Sequence, residues 1–109
     1  MATFVKRLTE TARMPTLGSR HAAGLDLYAD EVLTLEPGQL RLVRTGIAVA
    51  IPPNLVGLIW PRSGMAVKGV TTDAGVIDAD YRGEVRVLLV NLSDEPVAIQ
   101  RGMRVAQML

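Results

Sequence analysis

The sequence predicts an all-β fold, a sandwich or barrel built from many short strands. Turn-forming combinations recur along the 109 residues, as at Pro37-Gly38, Pro52-Pro53-Asn54 and Ser93-Asp94-Glu95-Pro96. Short runs rich in Val, Leu and Ile lie between these turns. No stretch combines a capping residue with a 3.6-residue apolar period of useful length, so no long helix is expected. Many short strands separated by turns are typical of all-β domains.

The strand predictions follow the apolar runs between these turns. Residues 84–91 place Val85, Val87 and Leu89 on one face and Arg86 on the other, because successive side chains of a strand point to opposite sides. The runs predicted to form strands are residues 39–51, 55–60, 84–91 and 97–100.

The composition favours a cytoplasmic oligomer over a membrane protein. The chain is 49% hydrophobic, yet no run approaches the roughly 18 apolar residues that span a bilayer. Residues 1–20 carry polar and charged residues throughout and lack a signal-peptide core. We therefore expect the apolar excess to lie at a subunit interface, and we expect no membrane partner. The net charge of +1 gives no electrostatic case for a nucleic-acid partner.

The residue types present also limit the chemistry. Cysteine is absent, which excludes disulfides, thiolate catalysis and cysteine-based zinc sites. His21 is the single histidine and cannot build a histidine metal site. A Ser-His-Asp triad would need His21, and no GxSxG motif is present. Carboxylates, Arg, Tyr, Ser and backbone amides remain for catalysis.

Two of four candidate segments point to phosphate and cation binding. In residues 23–29, Asp26 alternates with Leu25 and Leu27; it is either a solvated carboxylate or a ligand near a hydrated Mg²⁺. In residues 60–66, Arg62 offers a planar fork of donors to phosphate oxygens, Ser63 adds a hydroxyl, and Gly64 permits close backbone approach. A helical turn beginning there would favour an anion, whereas the plain alternative is a turn without a ligand.

The other two segments add carboxylates and an amide. Asp78 and Asp80 are two residues apart in the segment 75–84, so on a strand they would share a face and Tyr81 would face the other way, unless a turn intervenes. One carboxylate could act as a general base, and the alternative is a charged, solvated hairpin. In residues 101–107, alternation groups Gln107 with Met103 and Val105, which suits a structural glutamine at the end of a strand.

In this order, the four segments resemble motifs one to four of the trimeric dUTP pyrophosphatases, the dUTPase family. The family patterns run approximately AGxDLxA, PRSGxA, GVIDxDYRGE and GxRxAQ, and the chain carries all four from about Ala22 onwards. The resemblance implies one domain over residues 1–109 with the dUTPase-like fold, a distorted β-barrel or jelly-roll of short strands. It also implies hydrolysis of dUTP to dUMP and pyrophosphate by water attack on the α-phosphorus.

The resemblance further implies a role for each candidate residue. Asp78 activates the water, and Asp80 is structural or electrostatic. Tyr81 packs under the deoxyribose and excludes a 2′-hydroxyl. A β-hairpin over residues 74–79 reads uracil through its backbone. The resemblance implies substrate contacts by Arg62, Ser63, Gly64, Gly75, Val76, Ile77, Asp78, Tyr81 and Gln107.

The resemblance also has implications for metal binding and for subunit assembly, and the chain departs from the family pattern at a few positions. Asp26 binds Mg²⁺ through water, and a homotrimer shares its active sites between subunits. The family has a fifth, glycine-rich motif with Phe and Ser that closes over the nucleotide; we expect it beyond Leu109, and expect slow hydrolysis without it. The run 68–70 is about one residue shorter than in the family, which predicts a local loop change, and Met103 stands where many members carry an acidic residue.

Three alternatives remain open on the sequence alone. A non-catalytic or regulatory nucleotide-binding module on the same fold would explain a missing fifth motif, although such a module has no need for Asp78. A dCTP deaminase shares the fold but needs a different catalytic segment. A structural β-sandwich without a ligand is the third alternative.

Overall fold

The computed structural model describes residues 4–109 and confirms the all-β prediction. Within these residues the chain forms eleven strands and one five-residue helix. The elements are β1 (Phe4–Arg7), β2 (Thr16–Leu17), β3 (Leu25–Tyr28), β4 (Leu33–Leu35), β5 (Leu40–Ala50), β6 (Gly57–Trp60), α1 (Ser63–Val67), β7 (Val70–Asp73), β8 (Val76–Ile77), β9 (Glu84–Asn91), β10 (Val97–Ile99) and β11 (Arg104–Met108).

The strands form three antiparallel sheets. The first has the order β1-β5-β9-β7, the second has the order β2-β3-β11-β6-β8, and β10 pairs with β4 alone. Apart from β2 and β3, neighbouring strands are not consecutive in the chain, so the fold depends on long-range pairing. In residues 4–109, the five-residue helix α1 lacks the length needed to cross a membrane.

The predicted strands match the observed ones closely. The run 84–91 coincides with β9, and 39–51 contains β5. The run 55–60 shortens to β6, because the amide of Leu55 donates to the carbonyl of Pro52 (3.0 Å) and holds the preceding residues in a turn. The run 97–100 corresponds to β10.

The core lies between the two larger sheets, where β5 and β9 supply its centre. Val85, Val87 and Leu89 are 1%, 0% and 0% exposed, which confirms the face predicted for them. Val43 of β5 pairs with Val87 and is also fully buried. Burial of side chains of this size contributes about 1.5–3 kcal/mol each to folding.

Strand β6 connects the two halves of the candidate site. It pairs with β11 on one side and with β8 on the other. The Asp78 segment follows β8, whereas the Arg62 segment follows the far end of β6. The position of β6 therefore decides which candidate residues can meet within one chain.

Candidate active site

Five of the predicted site residues line one cavity of about 420 Å³. Its floor includes Leu42 and Leu88, which pair with each other on the outward face of β5 and β9. Its rim is the segment that follows β7. The predicted site residues in its lining are Gly75, Val76, Ile77, Asp78 and Tyr81.

A tight corner at Ala74 and Gly75 shapes the rim of this cavity. Both residues have positive φ, 59° and 113° respectively, and the amide of Ala74 donates to Oδ1 of Asp73 (2.8 Å). The carbonyl of Gly75 accepts from the amide of Ile59 (2.7 Å). A Cβ on Gly75 would lie 2.7 Å from the Ile59 carbonyl oxygen, so the position requires glycine.

This corner corrects the hairpin that was predicted for residues 74–79. Strands β7 and β8 flank the corner but do not pair with each other: β7 pairs with β9, and β8 pairs with β6. The chain passes from one sheet to the other at Ala74-Gly75. Within the described chain β8 is therefore an edge strand, with one row of backbone groups that no neighbouring strand uses.

A turn, rather than a strand, carries the two aspartates. The amide of Tyr81 donates to the carbonyl of Asp78 (3.0 Å), so residues 78–81 form a turn. Both carboxylates are exposed, but only Asp78 lines the cavity. The turn that the sequence left open therefore does intervene, and Asp78 and Asp80 do not share a strand face.

Tyr81 lines the cavity, and its hydroxyl is engaged by the backbone. The side chain is half-exposed, and its hydroxyl donates to the carbonyl of Glu84 at 2.7 Å. Glu84 also lines the cavity, while its carboxylate accepts from the amide of Gly46 (2.9 Å). Sequence reasoning did not assign a role to Glu84, although it is the last letter of the third motif.

A second group of candidate residues lies around Asp26. Asp26 is 9% exposed and pairs with Nε of Arg62 (3.6 Å) and Nη1 of Arg104 (3.4 Å). The interpretation of Asp26 as a solvated carboxylate is therefore wrong. Sequence reasoning missed Arg104, whose only signal was its place in the fourth motif.

Gln107 lies in the same row as Asp26. It pairs with Asp26 of β3 on one side and with Trp60 of β6 on the other, so all three side chains are on one face of the sheet. The Gln107 amide donates to the carbonyl of Pro61 (3.2 Å). The predicted alternation along β11 breaks at a register shift between Arg104 and Ala106, which buries both Val105 and Ala106.

Ser63 and Gly64 begin the helix α1, next to this second group. Both are exposed, and no atom lies within 4 Å of the position that a Gly64 Cβ would take. The helical turn considered in the sequence analysis does begin here, with Arg62 as its extended N-cap residue. Ser63 and Gly64 therefore leave open space for a ligand.

The two groups lie at opposite ends of β6 within one chain. Asp78 follows the residue that pairs with Gly57, whereas Arg62 comes two residues after Trp60. A strand rises about 3.3 Å per residue, so the length of β6 alone separates them by roughly 10 Å. Within one chain, Asp78 and Arg62 therefore belong to separate groups of candidate residues along β6.

The described residues do not form a cage for a bare metal ion. Residues 4–109 contain no cluster of three or more His, Cys, Asp or Glu side chains that could hold one. Asp26 is a single carboxylate beside two guanidinium groups. This donor set fits Mg²⁺ only where waters and phosphate oxygens are the inner ligands, an arrangement that Mg²⁺ commonly adopts.

Asp30, two residues after β3, is a second buried carboxylate with partners of its own. Its Oδ2 accepts from the Thr9 hydroxyl (2.5 Å), and its Oδ1 lies 3.5 Å from Nε of Arg101. Burial raises the pKa of Asp30, but hydrogen bonds from Thr11 and Thr9 and the charges of Arg101 and Arg44 outweigh it. The pKa therefore lies below its ordinary value.

The family model for dUTPase matches residues 10–109. The chain is 52% identical over 99 residues to a deoxyuridine 5′-triphosphate nucleotidohydrolase of Anaeromyxobacter sp. (strain Fw109-5), covering 88% of this chain and 67% of the relative. It is 47% identical over 109 residues to the enzyme of that name from Mycobacterium avium (strain 104), covering 96% and 71%.

Solved structures give the same result. A mutant dUTPase from phage phi11 of S. aureus, described as coordinating a structural Mg(II) ion, has a TM-score of 0.94 and 27% identity, covering 100% of this chain and 89% of its own. The Staphylococcus bacteriophage 80alpha dUTPase with dUPNHPP has a TM-score of 0.93 and 29% identity, covering 99% and 80%. With four ordered motifs and a family match over nearly its whole length, the chain belongs to the dUTPase family.

Proposed function

We propose that this protein hydrolyses dUTP to dUMP and pyrophosphate, by attack of water on the α-phosphorus, and that it acts on the cytoplasmic nucleotide pool. The observation that carries the proposal is the cavity shared by Asp78, Tyr81 and the Gly75 corner, in a chain of the dUTPase family. A carboxylate, an aromatic ring and free backbone groups provide one contact for each part of a deoxyuridine nucleotide.

The uracil base is read by the free edge of β8. The amide of Gly75, whose carbonyl already accepts from Ile59, and the backbone groups of Val76 and Ile77 supply the donors and acceptors that match O4, N3–H and O2 of uracil. Cytosine presents a different donor pattern at the same atoms, which would leave buried polar groups unpaired, and this discriminates strongly. The tight corner leaves little room beside carbon 5, so the methyl group of thymine is excluded.

Asp78 orients and deprotonates the attacking water, while Tyr81 supports the sugar. Asp78 is exposed at the mouth of the cavity, so water reaches its carboxylate freely. The exposed ring of Tyr81 fills the space that a 2′-hydroxyl would need. Phosphoryl transfer depends on positioning and charge stabilisation more than on covalent chemistry, so no nucleophilic side chain is required.

The Asp26 group receives the triphosphate. Arg62 and Ser63 hold phosphate oxygens, Gly64 allows the backbone to approach them, and Gln107 contacts the α-phosphate region. Arg62 exchanges its pairing with Asp26 for phosphate, which leaves Asp26 to accept hydrogen bonds from magnesium-bound water. Mg²⁺ supplies charge neutralisation on the triphosphate when it is bound.

The two groups come together between subunits of a homotrimer. Their separation along β6 supports this, because the cavity of one chain needs the Arg62 group of a neighbour to complete a site. Apolar side chains outside the cavity, such as Leu17 and Leu40, are about half exposed and are candidates for burial by assembly. A cyclic trimer closes such head-to-tail contacts at three copies.

The experiment is to measure pyrophosphate release from dUTP with Mg²⁺, comparing the parent protein with Asp78→Asn and Asp80→Asn. Asp78→Asn should lower kcat by about 10²- to 10⁴-fold, because the amide keeps the shape and loses the base. Asp80→Asn is the matched control and should retain most activity. Near-parental turnover in Asp78→Asn would refute the assignment, and dUTP binding without pyrophosphate release by the parent protein would favour a non-catalytic module.

A further inference from the structure

The ring of Tyr81 lies directly against the backbone of Gly83. A Cβ placed on Gly83 would lie 2.7 Å from Oη, 2.9 Å from Cζ and 3.3 Å from Cε1 of Tyr81. Ordinary contacts between carbon atoms are about 3.5–4.0 Å. Any side chain at position 83 would therefore push the ring by up to roughly 1 Å.

The hydroxyl of Tyr81 is tied to a fixed point. It donates to the carbonyl of Glu84 at 2.7 Å, and Glu84 is the first residue of β9. The Glu84 carboxylate is mostly buried, accepts from the amide of Gly46 and lies 3.5 Å from Nε of Arg86. The side chain of Glu84 therefore fixes the residue whose carbonyl accepts from the Tyr81 hydroxyl.

These contacts restrain the ring in different ways. Gly83 allows the ring to lie close to the turn, and the hydrogen bond to Glu84 prevents it from swinging away. The ring lines the cavity, so a shift in either direction changes the clearance beside the sugar. Discrimination needs the ring of Tyr81 at this position, but Gly83 and the carbonyl of Glu84 set the distance between the ring and the sugar.

We propose that Gly83 and the Tyr81–Glu84 hydrogen bond are positioning elements that set the discrimination between deoxyribonucleotides and ribonucleotides. The proposal rests on the proposed function, since it concerns the sugar that Tyr81 contacts. Gly83 acts through Tyr81 and touches no reacting atom. The hydroxyl of Tyr81 serves as an anchor and not as a ligand for the nucleotide.

The first test compares kcat/KM for dUTP and for UTP in Gly83→Ala and Tyr81→Phe. Gly83→Ala should lower the dUTP/UTP ratio by about tenfold or more, and Tyr81→Phe should lower it by a few fold, because the ring remains but its anchor is lost. Gly69→Ala is the matched control. Its Cβ would lie 2.9 Å from Ser93 Cβ, away from the cavity, so it should lose stability without losing selectivity.

A double-mutant cycle separates positioning from a general loss of structure. In a Tyr81→Ala background, Gly83→Ala should leave the dUTP/UTP ratio unchanged, because the ring that it displaces is gone. An equal loss of selectivity in both backgrounds would overturn the proposal. So would an unchanged ratio in Tyr81→Phe, which keeps the inference testable even where Gly83→Ala fails to fold.

Calorimetric binding of dUMP and UMP provides the readout that does not depend on turnover. The same variants should lose preference for dUMP over UMP in parallel with the kinetic ratio. A parent protein that binds dUMP preferentially but hydrolyses nothing would refute the proposed function and leave this inference standing. Equal dUMP preference in the parent and in both Gly83→Ala and Tyr81→Phe would refute the inference alone.

Discussion

The corner at Gly75 offers a test of how the fold shapes the cavity. Gly75 has φ of 113°, which residues with a side chain rarely adopt, and its missing Cβ would lie 2.7 Å from the carbonyl oxygen of Ile59. The atom in the way is backbone and cannot rotate aside. Gly75→Ala should therefore strain the chain and move the corner away from β6.

The expected cost follows from two separate effects. A residue with a side chain at such a φ costs on the order of 1–3 kcal/mol. Crowding of a packed site adds about 1–3 kcal/mol, and relieving it stretches the hydrogen bond between Ile59 and Gly75. The total is about 2–6 kcal/mol, a large part of the roughly 5–15 kcal/mol that stabilises a typical domain.

Urea unfolding of Gly75→Ala should show this loss of stability. Without urea, the affinity for dUMP should also fall, because the edge of β8 that is proposed to contact uracil is displaced. Gly38→Ala is the matched control, since Gly38 also has positive φ (75°) but has no atom within 4 Å of the added Cβ. The control should lose only about 1–2 kcal/mol and retain dUMP affinity. Equal losses of stability and affinity in the two variants would refute the argument that the Ile59 contact matters.

Two further predictions concern buried polar groups. The pKa of Asp30 is lower in the folded state, so the ionised carboxylate stabilises the fold above the unfolded pKa of about 3.9, and this stabilisation is lost as pH falls through the folded pKa. In Asp30→Asn, the free energy of unfolding should therefore depend less on pH below about pH 4. Identical pH profiles for the parent and the variant would contradict this. Asn91 is fully buried and donates to the carbonyls of Leu35 (2.9 Å) and Glu95 (2.8 Å). Asn91→Ala should cost about 2–4 kcal/mol in urea unfolding, against less than about 0.5 kcal/mol for the exposed Asn54→Ala, and a similar small change in both would show that the buried carbonyls find other partners.

The sequence predicts best those parts of the fold that local patterns govern. Strand β9 was predicted with its bounds and its buried face, because Val85, Val87 and Leu89 alternate with residues of the other face. Strand β5 was predicted almost as well for the same reason. The predicted run 55–60 lost its first two residues because the amide of Leu55 is held by the carbonyl of Pro52, a hydrogen bond that no apolar pattern reveals.

The errors concern contacts between residues that are distant in sequence. Asp26 looks like an exposed strand residue until the fold brings Arg62 and Arg104 against it. The separation of β7 from β8 depends on which strand each one pairs with, and that choice is made by the whole sheet arrangement. Ala74 at positive φ gives no local signal, since alanine rarely adopts that conformation.

The separation of Asp78 from Arg62 leads to the most direct test of a shared site. On the proposed function, Asp78→Asn removes the base from one half of each site, and Arg62→Ala removes the phosphate ligand from the other half. Each variant alone should be nearly inactive. If each site takes Asp78 from one subunit and Arg62 from the next, mixed trimers regain intact sites wherever a chain with Asp78 precedes a chain with Arg62.

In a random equal mixture, this order occurs at about one quarter of the sites of a cyclic trimer, so the refolded mixture should show about 25% of the parental pyrophosphate release per chain. The control mixes Arg62→Ala with Gln107→Ala. Both changes lie in the same half of the site, so every subunit carries a damaged phosphate half and no order of chains restores it. A mixture of Asp78→Asn and Arg62→Ala that stays at the average of its two components would place both residues in sites within single chains.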